Sequence, residues 1–187
     1  MRNGADGGVE WPTLVLIAVC YGAWALATTW LALWSLPPAM ILTTLLITLH
    51  SSLQHEVLHG HPFRTRWLNE ALVSLPLGLV YPYGRFRDLH LAHHQDEHLT
   101  DPYDDPETNF LCPKVWADAS ALRRAVCTAN NALLGRMLMG PAITVIEFVR
   151  ADSAAILRGD RAVARDGLLH LAGAVPVVVW VWHTAMP

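Results

Sequence analysis

Between Thr13 and Leu36 the chain reads TLVLIAVCYGAWALATTWLALWSL, 24 consecutive residues without a charged side chain. At about 1.5 Å per residue, a helix of that length crosses a hydrocarbon core of roughly 30 Å with some tilt. Trp11 and Trp34 stand near its two ends, where indole rings favour the membrane–water interface. Backbone amides find no water in lipid, so an isolated span must be helical. Composition agrees. The chain is 53% hydrophobic and only 16% charged, where a soluble domain carries about a quarter charged residues. The opening MRNGADGGVEWP lacks the basic region and cleavage site of a signal peptide, so the first apolar block is expected to stay in the mature chain.

The SLPP that follows reads as a tight, uncharged turn. The next block, AMILTTLLITL from Ala39 to Leu49, is apolar for only 11 residues before His50, Ser51 and Ser52. A helix beginning at Pro38 needs about 20 residues to cross, and that count arrives near Val57. His55 and His59, spaced i, i+4 on one face, then sit at the exit of a second span. Gly167 to Met186 carries no charge and reads as a third span. Trp67 to Val80, too short to cross and broken by Pro76 and Gly78, is expected to lie in the interface. Two amphipathic helices are expected near 119–138 and 142–158. The expected fold is all-α: a single membrane domain over 1–187 with about three transmembrane helices and a cytoplasmic or interfacial helical region.

Twelve of the 13 Lys and Arg residues lie between His61 and Asp166; the thirteenth is Arg2. If the first two spans form a hairpin, the positive-inside rule places residues 1–12 and 60–166 in the cytoplasm and Pro187 opposite. Arg85 and Arg87 read as interfacial anchors. TDPYDDPETN, 100–109, is an acidic loop without the glycine that a calcium loop needs. Cys20, Cys112 and Cys127 form no C-x-x-C pair and read as ordinary apolar residues. No nucleic-acid partner is expected.

The chemistry lies in the histidines. Eight of the ten fall between residues 50 and 98. HEVLH, 55–59, satisfies H-E-x-x-H, the zinc-protease signature, and also the looser H-x-x-x-H. HLAHH, 90–94, brings three imidazoles together if helical, because i, i+3 and i+4 share a face. A catalytic zinc takes three protein ligands, and two such clusters exceed that. An excess of neutral imidazoles fits a metal of higher coordination, iron first, and more than one ion. A ferritin-like di-iron site would need paired E-x-x-H motifs on facing helices; Glu56 precedes Val-Leu-His, and nothing equivalent accompanies it.

HEVLH (55–59), GRFRDLHLAHH (84–94) and DPYDDPE (101–107), following a membrane hairpin, resemble the membrane-bound fatty acid desaturase family, whose superfamily includes lipid hydroxylases and carotenoid ketolases. The resemblance implies a di-iron centre at the cytoplasmic membrane surface that uses O₂ to introduce a double bond into a lipid acyl chain. It implies electrons from a donor such as a ferredoxin or cytochrome b5-like protein. By position it implies His55, His59, His90, His93 and His94 as metal ligands. Glu56 and Asp88 are expected to orient ligand imidazoles, His61 and His98 to flank the site, and His50, His170 and His183 to be structural. The competing readings are a related ketolase or hydroxylase, an intramembrane zinc protease on H-E-x-x-H, and an inactive fragment. The family's third box, again H-x-x-H-H, has no counterpart after His98. A C-terminally truncated chain that binds metal weakly is therefore expected, with activity restored by a returning span that carries that box.

Overall fold

The computed structural model describes residues 8–95, 101, 103 and 111–184, with helices and no strand among them. The helices are α1 Trp11–Trp34, α2 Leu36–Leu58, α3 Arg66–Leu72, α4 Tyr83–Gln95, α5 Pro113–Asp118, α6 Ala121–Asn131, α7 Leu133–Leu157 and α8 Arg161–His183. Three of them, α1, α2 and α8, are long and apolar enough to cross a membrane. The chain forms two compact units, Met1–Arg87 with Asp166–Pro187, and Asp88–Arg165.

In the first unit, the expected SLPP turn contracts to Ser35, whose extended backbone (φ −159°) separates α1 from α2. Pro37 and Pro38 fall in the first turn of α2, where a missing N–H costs nothing. Ile17, Cys20, Trp24 and Ala27 share one face of α1 and pack with Leu46, Leu53 and Val57 of α2. Lipid is as apolar as leucine, so close packing and interhelical hydrogen bonds must hold spans together. The Cys20 thiol donates to the Leu46 carbonyl at 3.4 Å. Val177 of α8 joins the same core, and Trp180 Nε1 donates to Thr28 Oγ1 at 2.9 Å. Thr28 and Thr29, within the wider π-helical turn Ala27–Leu31, each bond a carbonyl four residues back. The outward faces remain apolar, with Leu33 and Trp182 each 83% exposed. Large contiguous apolar faces of this kind suit lipid and not water.

Residues 73–80 correct the expectation of a surface-lying segment. After α3 the chain turns inward, burying Val73 and Leu77 in the core shared by the spans. Its carbonyls are met by side chains from all three spans: Tyr21 OH donates to Leu75 O (3.3 Å), Gln54 Nε2 to Val73 O (3.4 Å) and His170 Nε2 to Leu79 O (3.1 Å). Tyr21 lies ten residues past Trp11, about 15 Å along the axis. The segment therefore re-enters between the spans. Irregular backbone at such depth persists only where protein groups satisfy it, which these three side chains do. Tyr21 also meets the buried His50 Nε2 at 3.0 Å, which makes His50 a hydrogen-bonded residue of the span interior.

The third span also starts earlier than its apolar block. α8 begins at Arg161, with Asp160 Oδ1 accepting from the amides of Ala162 and Val163. In the second unit the expected break between 138 and 142 is absent. α6, capped by Ser120 on the Arg123 amide, stops at Asn131, and Ala132 takes an extended conformation (ψ 147°). α7 then runs 25 residues straight through Pro141, at an angle of 119° to α6. The turn is possible because residue 135 is glycine: a Cβ there would stand 1.9 Å from the Ala129 carbonyl oxygen. A proline removes one bond from a helical ladder, which a helix of this length survives.

Candidate metal centre

His55 lies in the last turn of α2, and His59 is its C-cap, one residue past the helix. Their rings meet edge to face with centroids 4.7 Å apart. His55 is half-buried and His59 exposed. The expected i, i+4 juxtaposition is realised, with the last step made by a turn: the His59 amide donates to Glu56 O at 3.2 Å and the Gly60 amide to Val57 O at 3.0 Å.

His90, His93 and His94 all lie on α4, as expected. His90 and His94 are the close pair, with centroids 4.6 Å apart and their Nε2 atoms separated by 2.9 Å. The His93 ring stands 6.1 Å from His90 and 5.9 Å from His94.

The root of α4 is fixed on α3 by charge. Arg87, buried and three residues before His90, donates from Nη1 to Glu70 Oε1 at 2.7 Å, and Arg66 Nε reaches the same oxygen at 2.7 Å. Burial alone would raise the Glu70 pKa, but hydrogen bonds and charge from the two guanidinium groups hold it below the ordinary carboxylate value. Arg87 is thus a buried partner of Glu70, which corrects its reading as an interfacial anchor. Gly84 lets the first turn of α4 approach Asp166: a Cβ there would meet Asp166 Oδ2 at 2.4 Å.

Glu56 corrects another expectation. Its carboxylate faces His61, with Oε1 3.5 Å from Nε2, while His61 Nδ1 contacts Glu10 Oε2. Neither Glu10 nor Glu70 belongs to a motif that sequence reasoning picks out. The available signal for Glu10 was its place, the one carboxylate bordering the first span. His98 and all of the acidic loop but Asp101 and Tyr103 lie outside the described residues.

The donor set can be tested against a metal. With metal–imidazole bonds of about 2.0–2.1 Å, two ligands at right angles put their nitrogens about 3 Å apart. His90 Nε2 and His94 Nε2, hydrogen-bonded to each other at 2.9 Å, also have that span, and the His55 and His59 ligand atoms lie within 4.8 Å of each other. Imidazoles clustered at helix ends fit a transition metal such as iron.

An all-helical membrane protein with histidine clusters on the ends of two helices is the class that fold and site define. Within that class, residues 28–187 match the family described as fatty acid desaturase, and the chain belongs to that family. No curated protein and no solved structure matches the chain.

Proposed function

We propose that the chain is a desaturase-like oxidoreductase in which His55, His59, His90, His93 and His94 hold iron and a lipid acyl chain is the substrate. The observation that carries this reading is the His90–His94 pair, whose facing nitrogens have the spacing of adjacent ligands on one ion. Family membership supplies the reaction class. Iron, when bound, supplies the O₂ activation that an unactivated methylene needs, since acids and bases of side chains find no handle on such a bond. In the overall balance, the acyl chain loses two hydrogens, an electron donor of ferredoxin or cytochrome b5 type supplies two electrons, two protons come from solvent, and O₂ leaves as two waters. The residues of the chain contribute ligation and placement: the spans offer an apolar environment for the acyl chain, and His55 and His59 stand at the end of α2. The histidines lie on the cytoplasmic side in this reading.

Five imidazoles fall short of the roughly ten donors that two six-coordinate ions want, so these histidines alone do not fill a di-iron centre. The zinc-protease alternative is less well supported, because Glu56, the base such an enzyme would use, is engaged with His61. Lipid analysis after expression in a host without desaturases tests the reaction. A new acyl double bond supports the proposal, whereas a new hydroxyl or keto group transfers it to the sister activities.

A further inference from the structure

His59 is the one proposed ligand that no helix holds. It follows the last residue of α2, and Gly60 (φ +97°) then turns the chain away. What fixes that turn comes from the other end of the hairpin. The Glu10 amide donates to Pro62 O at 3.0 Å, and the Glu10 carboxylate receives His61 Nδ1 together with the Thr13 hydroxyl at 3.3 Å. The opposite nitrogen of the same ring lies 3.5 Å from Glu56, which stands between His55 and His59 in the sequence. Just beyond, Asn69, buried, closes the loop by accepting from the Phe63 amide and donating to the Phe63 carbonyl, both at 2.8 Å.

From these contacts we infer that Glu10 is a positioning residue for His59, acting through His61. The inference rests on the metal-centre reading above. Glu10 lies outside residues 28–187, the part of the chain that matches the family. Glu10, Glu56 and His61 also offer ligand atoms within 4.8 Å of one another. Yet the two carboxylates face opposite nitrogens of one imidazole, which is the arrangement of a bridge and not of three donors converging on an ion. The bridge ties the entry of α1 to the exit of α2 and leaves His59 in a turn closed at both ends. Groups that hydrogen-bond a ligand directly change metal affinity by about 10–100-fold when removed, and Glu10, acting through His61, is expected at the lower end of that range.

The test uses the purified full chain in detergent with Co²⁺ as probe, read by its ligand-field spectrum and by titration. Glu10→Ala is expected to weaken Co²⁺ binding at least about tenfold and to shift the spectrum toward that of His59→Ala. Glu10→Gln keeps an oxygen for His61 Nδ1–H and is expected to restore both. Should Glu10→Ala fail to fold, Glu10→Asp, one methylene shorter, is expected to show the same shift in weaker form. Wild-type spectrum and affinity in Glu10→Ala would overturn the inference, as would equal damage from Glu10→Gln, which would mark the charge and not the bridge as the requirement. A wild-type chain that takes up no Co²⁺ would remove the metal-centre reading itself, and this inference with it.

Discussion

Gly173 passes Ser74 so closely that a Cβ on it would stand 2.4 Å from the Ser74 carbonyl oxygen. That contact lets α8 cover the re-entrant segment, and the bond from His170 to Leu79 O lies one turn away. Gly173→Ala is expected to destabilise the chain by roughly 1–3 kcal/mol, the usual cost of overpacking. Gly167→Ala in the same helix is the control. Nothing lies within 4 Å of its Cβ position, and alanine there should be neutral or stabilising by up to about 1 kcal/mol. Thermal unfolding in detergent, followed by circular dichroism, reads both.

The Glu70 carboxylate gives a pH signature. Its folded pKa is depressed by Arg66 and Arg87, so the stability it contributes is present above the unfolded carboxylate pKa and is lost as pH falls through the lower folded value. Wild type should exceed Glu70→Gln in stability at pH 7, and the gap should close as the medium is acidified below the ordinary carboxylate range. A gap independent of pH would show that the side chain acts through packing and not through its charge.

The spans were legible in the sequence because an uncharged run of 24 residues permits little else, and the box pairs were legible because i, i+4 spacing is local. The features that local pattern does not show are set by long-range partners. Hydropathy marks the lipid-facing part of a helix, so the charged start of α8, RAVARD, fell outside its expected bounds. Residues 73–80 looked interfacial because Tyr21, Gln54 and His170, which satisfy their carbonyls, lie 54, 19 and 91 residues away from their respective partners. The Gly140–Pro141 step looked like a helix end, while the actual break depended on the close approach of Gly135 to Ala129. The separation of Glu10 from His61 hid that pair in the same way.

Topology follows from the same hairpin. The bond from the Glu10 amide to Pro62 O puts the entry of α1 and the exit of α2 at one end of the first unit. With the twelve basic residues between His61 and Asp166, that end is expected in the cytoplasm. A reporter fused after residue 110 should be active in the cytoplasm. Activity only on the far side would reverse the assignment.

Metal content tests the central claim most directly, because it does not depend on turnover. The full chain, purified anaerobically and loaded with Fe²⁺, is compared with His59→Ala, His93→Ala and the double variant by mass spectrometry of bound iron. Ligands of one centre act as a unit and respond non-additively. Each single change should therefore remove most of the iron, and the double change should remove little more. Wild-type iron in either single variant, or about one zinc per chain that survives His93→Ala, would contradict the account.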